Sequence, residues 1–416
     1  MEEVYAVIDL KSFYASCECV MRGLDIFSVP LAVCDKSRSA NSIVMSVTPY
    51  LKKKYKIPNV CRIQDLPEIK DMIYATPRMA QYTKISAEVV SIFLDFIDEE
   101  DLHVYSIDES FLHLSPYLKL YECSPEELVR RIQKRIKDEL GLVATAGLGP
   151  NMFLAKTCLD NEGKKNPPYC SRWGYEDVKT KLWAIPDLTN VWGISTGIST
   201  RLKRIGIRSL EALATADTKV LTKEFGVIGL QLHDLANGID CADIRKPYTP
   251  KETSFTQGQV LMKDYSKEEA KLILREMTDD LCVRLRKSDV KTGVVSCYCG
   301  YSKASIHPGF SVQAKLDIAT DDNDLLYQTV LHLFNQKAIQ EPIRYLGIGF
   351  GKLSSSKDQQ YSLFGSIKAQ EKNRKLWQKV DILNEMYGKN AVLRASSLLS
   401  YSTIKERHGQ IGGHKA

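Results

Sequence analysis

Three carboxylates near the N-terminus have the spacing of a metal site. Asp9 ends a run, residues 4–9, in which apolar residues alternate with others, and this pattern predicts a buried strand. Asp108 and Glu109 lie near the turn of a predicted β-hairpin over residues 104–114. Phosphoryl transfer with two Mg²⁺ ions, about 3.5–4 Å apart, needs such a cluster of oxygen ligands. Each acid alone is better explained as a solvated turn residue, so the prediction depends on the hairpin pairing beside the first strand.

Aromatic and basic residues suited to a nucleotide follow at several places. Phe13 and Tyr14 stand four and five residues after Asp9, where they would lie against a sugar, although core packing explains them as well. A triphosphate needs cations and hydroxyl groups from several directions. The candidates for this role are Tyr50, Lys53, Lys156, Lys164 and Lys165. Taken singly, these lysines are more typical of a solvated face.

Two further segments have the pattern of binding motifs. The hairpin Gly193-Ile194-Ser195 lies between predicted short helices, and its backbone N–H groups would face a phosphate without reading sequence. The peptide from Gln360 to Phe364 follows a Ser-rich stretch, 354–356, that we predict to be mobile. An extended peptide with two large anchors is typical of a ligand for a hydrophobic pocket. The alternative for this peptide is a final edge strand.

Composition indicates a globular chain with a basic C-terminal end. The 416 residues are 44% hydrophobic and 26% charged, and no apolar run approaches the length that spans a bilayer. The 11 cysteines include no C-x-x-C pair, which favours buried thiols in a reducing cytosol over structural zinc. From Leu353 onwards, 11 Lys and Arg face 5 Asp and Glu, and this excess equals the net charge of +6. The excess suits a polyanionic partner.

The elements that must position these residues predict an α+β multidomain fold. Strand, helix, hairpin, helix and strand over residues 1–27 and 72–170 match a ferredoxin-like core. Residues 28–71 form a small insert, and residues 171–240 are short helices separated by glycines. Residues 251–352 form a second α/β unit, followed by the basic tail 353–416.

Taken together, these motifs resemble the Y-family translesion DNA polymerases, in particular the UmuC-like branch and its Gram-positive UvrX-like members. The resemblance runs in order over nearly the whole chain. It rests on the segment from Asp9 to Glu18, on Ser106-Ile107-Asp108-Glu109, on the segment from Gly147 to Lys156, and on the peptide from Gln360 to Phe364.

The resemblance implies a domain layout and a set of site residues. The layout is a palm (1–27 and 72–170), small fingers (28–71), a helical thumb with a helix-hairpin-helix element (171–240), a little finger (251–352) and a tail with a clamp-binding peptide (353–416). Two Mg²⁺ ions, with Mn²⁺ as a substitute, would be held by Asp9, Asp108, Glu109 and the backbone carbonyl of Leu10. For the nucleotide, the resemblance implies Tyr14 with Phe13 as the steric gate for the sugar, and Tyr50, Lys53 and either Lys164 or Lys165 as contacts to the triphosphate. The roof over the base pair would include Val44 and Ser46. Gly193, Ile194 and Ser195 would contact the DNA backbone, and Gln360, Leu363 and Phe364 would bind the sliding clamp.

The function implied is template-directed, error-prone DNA synthesis past damaged bases, in the cytoplasm at the nucleoid. Its partners would be primer-template DNA, deoxynucleoside triphosphates, the bacterial sliding clamp and a small accessory protein, without a membrane. A non-catalytic DNA-binding scaffold is the first alternative, but such a protein should have lost an acid from the trio. Another two-metal enzyme, such as a nucleotidyl cyclase, would need neither the helical segment nor the clamp peptide.

Overall fold

The computed structural model describes residues 3–58, 61–165, 167–246, 249–250, 252–356 and 367–416, the last with side chains from residue 371. The chain divides into two compact units, 1–248 and 249–416. None of the helices in these described ranges has the length and apolar character needed to cross a membrane. The predicted clamp-binding residues Gln360, Leu363 and Phe364 lie outside the described residues.

The first unit contains ten strands and nine α-helices within its described residues. The strands are β1 (Tyr5–Leu10), β2 (Leu31–Val33), β3 (Ile43–Val44), β4 (Ser46–Val47), β5 (Cys61–Arg62), β6 (Ile73–Ala75), β7 (Leu102–Val104), β8 (Glu109–His113), β9 (Ala144–Gly149) and β10 (Cys170–Arg172). The helices are α1 (Phe13–Val20), α2 (Pro49–Tyr55), α3 (Met79–Leu94), α4 (Pro125–Leu140), α5 (Met152–Cys158), α6 (Thr196–Arg204), α7 (Leu210–Ala214), α8 (Thr218–Phe225) and α9 (Val227–Ala236).

The sheet that carries the carboxylates has the order β10-β9-β1-β8-β7. Strand β1 lies between β8 and β9 and is antiparallel to both. Helices α3 and α4 complete the predicted order of strand, helix, hairpin, helix and strand. Helix α4 has Ser124 as its N-cap, and the Ser124 hydroxyl accepts a hydrogen bond from the Glu127 backbone N–H at 3.2 Å. Helix α3 begins at Met79.

The insert has a small core of its own, whereas the helical segment shares its core with Phe153, Leu154 and Cys158 of α5. In the insert, a three-stranded sheet (β4-β2-β6) and a two-stranded sheet (β3-β5) pack with α2. Helices α6 to α9 pack with a preceding turn region around Leu182, Leu188 and Trp173.

The second unit is a four-stranded antiparallel sheet with helices, in the order β11-β14-β12-β13. Its elements are β11 (Phe255–Tyr265), α10 (Lys267–Lys287), β12 (Val290–Tyr301), β13 (Phe310–Thr320), α11 (Asn323–Lys337), β14 (Ile343–Ser355), α12 (Ile367–Tyr387), α13 (Ile404–His408), β15 (Gln410–Ile411) and β16 (His414–Lys415). Leucines of α10 and α11 form its core with the buried side chains of the strands.

The C-terminal segment is part of this second unit. Arg394 lies 2.7 Å from Asp279, and Arg407 lies 2.9 Å from Asp280, both acids of α10. The prediction of a mobile Ser-rich stretch is wrong for Ser354 and Ser355, because they pair with β12 as the end of β14. Small polar residues resemble a linker in the sequence, but here their backbone groups extend a sheet.

Candidate active site

The three carboxylates meet at one edge of the first sheet. Asp9 in β1 pairs directly with Glu109, the first residue of β8. Residues opposite each other in an antiparallel pair point to the same face. The backbone N–H of Leu10 donates to the carbonyl of Asp108 at 2.9 Å, which fixes the turn residue beside them. The Asp108 carboxylate is oriented by the Ser106 hydroxyl, which donates to it at 2.8 Å.

Two lysine ammonium groups neutralise this edge. Lys156 Nζ lies 2.8 Å from one Glu109 oxygen and 2.9 Å from the other, and both side chains are 8% exposed. Lys164 Nζ lies 3.0 Å from Asp9 Oδ2. Asp160 accepts hydrogen bonds from both ammonium groups, at 3.0 Å from Lys156 and 2.9 Å from Lys164. The acids and lysines therefore form one connected charge cluster.

The charge cluster shifts the protonation equilibria of its members. Burial raises the pKa of Asp9, and the ammonium group of Lys164 partly offsets this effect. Burial likewise raises the pKa of Glu109 against the opposing effect of Lys156. For Lys164, burial favours the neutral amine, but Asp9 and Asp160 outweigh it and raise its pKa above the usual value. The lysine is thus held as a cation between two carboxylates.

A π-helical turn sets the position of Lys164. Helix α5 continues into this turn, Leu159–Gly163, and the Lys164 backbone N–H donates to the Leu159 carbonyl, five residues earlier, at 3.1 Å. Lys164 reaches Asp9, whereas Lys165 is exposed. Lys11 supports the turn, because its ammonium group donates to the Lys164 carbonyl at 2.9 Å.

The donor set suits a hard divalent cation, since Asp9, Asp108 and Glu109 all supply carboxylate oxygens. In the described part of the chain, no group of three or more His, Cys, Asp or Glu side chains is arranged to hold a metal ion as it stands. At this edge two of the three acids are paired with lysines, Asp9 with Lys164 and Glu109 with Lys156. A metal ion that binds Asp9 Oδ2 would compete with the Lys164 ammonium group for that oxygen.

Phe13 and Tyr14, the aromatic pair after β1, differ in their burial. Ser12 has a φ of +48°, in the left-handed region, and this sharp turn starts α1 directly beside the end of β1. Phe13 is 2% exposed and belongs to the core, which does not support a gate role for it, whereas Tyr14 is half-buried. The Tyr14 ring packs against the Tyr82 ring with centroids 4.9 Å apart and an angle of 38° between the ring planes.

Tyr82 is a residue that sequence reasoning missed. It is completely buried, and its hydroxyl donates to Glu18 at 2.7 Å. Arg78 binds the same carboxylate through two hydrogen bonds, of 2.9 and 2.8 Å. This network fixes the ring that supports Tyr14. The sequence signal was weak, because Tyr82 lies on the apolar face of an ordinary helix.

The predicted triphosphate-binding residues of the insert differ in their exposure and in their hydrogen bonds. The Tyr50 hydroxyl accepts a hydrogen bond from Lys54 at 2.8 Å, and Lys53 is exposed. Lys52 is half-buried; burial lowers its pKa, while the charges of Asp9 and Asp108 act in the opposite direction. Lys52 is thus a basic residue near the carboxylates that the motif did not indicate.

The predicted roof residues also differ from each other. Val44 is 2% exposed and packs in the core of the insert, which does not support a place over a base pair. Ser46 is half-buried, and its hydroxyl lies 3.4 Å from the Ser12 carbonyl, beside the start of α1. Of the two, only Ser46 is near the aromatic pair.

The hairpin of the helical segment has two exposed positions and one buried one. Gly193 has a φ of +90°, which favours glycine, and Ile194 is buried at 5% exposure. Ser195 is the N-cap of α6, and its hydroxyl accepts a hydrogen bond from the Ile198 N–H at 3.3 Å. The element before the hairpin is a three-residue 3₁₀ helix, Leu188–Asn190, and the element after it is α6.

Comparison with known sequences assigns the chain to a family. Residues 8–160 match the impB/mucB/samB family, and residues 252–363 match the C-terminal domain of the same family. A Bacillus subtilis (strain 168) protein named for UV-damage repair, UvrX, is 35% identical over 98% of this chain and 97% of its own length. The chain belongs to the impB/mucB/samB family. DNA polymerase IV 2 of the same organism is 30% identical over 99% of each chain.

The fold of this family member is similar to that of a solved Y-family polymerase. A Y-family DNA polymerase chimera of Dbh and Dpo4 superposes with a TM-score of 0.67, over 85% of this chain and 99% of the chimera, at 20% identity. The predicted resemblance to the UmuC-like Y-family branch is therefore confirmed, as is the general α+β fold.

Proposed function

We propose that this member of the impB/mucB/samB family is a template-directed, error-prone DNA polymerase that adds deoxynucleotides to a primer 3′-hydroxyl opposite damaged bases. The observation that carries the proposal is the cross-strand pairing of Asp9 with Glu109, with Asp108 held in the adjacent turn. The DNA polymerase IV names of several relatives support it. Damage tolerance is supported by the name of the UvrX relative.

In this proposal the described elements take the family's domain roles. Residues 1–27 and 72–170 are the palm, 28–71 the fingers, 171–240 the thumb with a helix-hairpin-helix element, and 251–352 the little finger. The thumb hairpin at Gly193 and Ser195 contacts the DNA backbone through exposed groups. The peptide from Gln360 to Phe364 binds the sliding clamp, and a small accessory protein remains a further partner.

The proposed metal ligands are Asp9, Asp108, Glu109 and the Leu10 carbonyl, for two Mg²⁺ ions that Mn²⁺ can replace. When bound, such ions supply charge stabilisation for the attacking and leaving oxygens of phosphoryl transfer. The other residues bind and orient the substrate. Lys164, with Tyr50 and Lys53 from the fingers, holds the triphosphate, and the Tyr14 ring excludes a 2′-hydroxyl from the sugar site. The small insert discriminates weakly by fit, which permits damaged templates.

Primer extension with acid-to-amide variants tests this function. Asp9→Asn and Asp108→Asn should each abolish extension, because a missing carboxylate destroys the two-metal arrangement. DNA binding, measured by fluorescence anisotropy, should persist, since affinity rests on many phosphate contacts. The matched control is Glu99→Gln, an exposed acid of the same unit. Extension at the wild-type rate by Asp9→Asn or Asp108→Asn would refute the assignment.

A further inference from the structure

The ion pair between Lys164 and Asp9 occupies an oxygen that the proposed metal site needs. Lys164 Nζ lies 3.0 Å from Asp9 Oδ2, within hydrogen-bonding distance. A Mg²⁺ ion binds carboxylate oxygen at about 2.0–2.1 Å. An ammonium group and a divalent cation would repel each other if both approached this oxygen. The two are therefore competitors for Asp9.

The two lysines of the cluster differ in their freedom to move. Lys156 is 8% exposed and contacts both oxygens of Glu109, so it is enclosed by the fold. The Lys164 side chain is 32% exposed, and Asp160, which is also 32% exposed, gives it a second partner on the same turn. Lys156 also contacts Asp160, so the two lysines differ in burial: the Lys164 ammonium group can leave Asp9 towards solvent, whereas that of Lys156 would stay enclosed. The structure thus contains one fixed and one releasable counter-ion.

A triphosphate is the partner that would draw Lys164 away. It carries several negative charges, whereas Asp9 offers one, and phosphate oxygens accept strong hydrogen bonds from ammonium groups. The backbone of Lys164 would stay in place, because the π turn and the Lys11 ammonium group hold its N–H and its carbonyl. Only the four-carbon side chain has to swing.

We propose that Lys164 is a releasable counter-ion that blocks Asp9 until a nucleoside triphosphate binds, so that nucleotide and divalent cation bind with positive coupling. The inference rests on the proposed function. It adds a physical reason why binding of the nucleotide favours binding of the divalent cation. By linkage, the factor by which nucleotide tightens cation binding equals the factor by which the cation tightens nucleotide binding. In this role, which is separate from its contact with the triphosphate, Lys164 acts through Asp9. The coupling between nucleotide and cation binding is the property that reveals it.

The test measures Mn²⁺ affinity by electron paramagnetic resonance on the full chain without DNA, so that no turnover occurs. Lys164→Met should bind Mn²⁺ more tightly than the wild type without nucleotide, by a factor in the range of about 5 to 150 typical of coupled sites. Lys164→Arg keeps the cation and should resemble the wild type. Added dATP should tighten Mn²⁺ binding in the wild type, and it should do so much less in Lys164→Met. Because dATP itself binds Mn²⁺, the affinity is calculated from the concentration of free Mn²⁺.

Two control variants separate the ion pair from the charge alone. Lys165→Met removes the same charge one residue away, at an exposed position, and Lys52→Met removes a half-buried cation from the surroundings of Asp9. Both should raise Mn²⁺ affinity far less than Lys164→Met. Adding Asp9→Asn to Lys164→Met should cancel the gain. Unchanged Mn²⁺ affinity in a folded Lys164→Met, or an equal gain in Lys52→Met, would overturn the inference.

The outcomes also distinguish this inference from the proposed function. If Asp9→Asn abolishes primer extension but Lys164→Met leaves Mn²⁺ affinity unchanged, the polymerase assignment stands and the blocking role of Lys164 is wrong. If Asp9→Asn extends primers normally, the proposed function itself fails. Thermal melting of each variant confirms that the compared proteins are folded.

Discussion

Gly147 determines how closely helix α5 lies against strand β9, and a methyl group there should displace the helix that carries the lysines. An added Cβ would lie 2.3 Å from the Ala155 carbonyl oxygen and 2.4 Å from the Leu159 backbone nitrogen. Ordinary contacts of a Cβ begin near 3.4 Å. Backbone atoms cannot rotate away as a side chain can, so Gly147→Ala requires the helix to shift by about 1 Å.

The size of the effect follows from this shift. Overpacking of this kind typically costs about 1–3 kcal/mol. For a unit of about 250 residues, each kcal/mol lowers the melting temperature by about 2–4 °C. The shift should also move Lys156 and the π turn, and a misplacement of 1 Å can cost about 100-fold in rate. We expect a lower Tm and a much larger loss of primer extension.

Differential scanning calorimetry and single-turnover extension on one preparation measure both quantities. Gly351→Ala is the control, because its Cβ would meet nothing closer than Val294 Cβ at 3.8 Å. Wild-type Tm and extension in Gly147→Ala would show that α5 is not pressed against β9. A lower Tm with normal extension would show that the helix position does not control the lysines.

Three further variants test other parts of the chain. Tyr14→Ala should admit ribonucleotides while keeping deoxynucleotide activity, and an unchanged preference ratio in single-turnover assays would mean that Tyr14 only supports the core. Leu363→Ala combined with Phe364→Ala should remove clamp-stimulated synthesis but leave basal extension and Tm unchanged, since such anchors each contribute about 2 kcal/mol or more; loss of all three would refute docking. Arg407→Met should lower the unfolding free energy of the second unit by about 1–3 kcal/mol, because it removes hydrogen bonds to Asp280 and Gln259 while His408 still contacts Asp280; urea denaturation measures this, and an unchanged midpoint would contradict it.

The carboxylate edge could be predicted from sequence because each of its strands has a clear local pattern, although Asp9 and Glu109 lie about 100 residues apart in the chain. Alternating apolar residues predict β1. The hairpin turn places Asp108 and Glu109 at the start of β8, the strand that pairs with β1. Once the strands pair, register alone places Asp9 opposite Glu109. The spacing of Lys156, Asp160 and Lys164, four residues apart each time, was also visible and is the pattern of helical ion pairs.

Other features depended on how elements pack and were not readable in advance. Lys52 and Lys53 are adjacent, and the docking of a seven-residue helix decides which of them is half-buried near the acids. Val44 was expected at a surface, but the insert is too small to form a core without it. The tail was read as a charge excess, whereas Arg394 and Arg407 pair with specific acids of α10. Long-range pairs of this kind leave no trace in local patterns.

The π turn after α5 has a consequence for transferring residue roles between relatives. An extra residue inside a helix normally rotates the side chains that follow it by about 100° around the helix axis. A π turn, in which a backbone hydrogen bond spans five residues, accommodates the extra residue without that rotation. Chains with and without the extra residue can therefore present a lysine at the same point in space from different distances along the sequence. Counting from Asp160 alone would assign the role to the wrong position in one of the two. Alignments of such relatives should be anchored on the backbone hydrogen-bond pattern on either side of the turn.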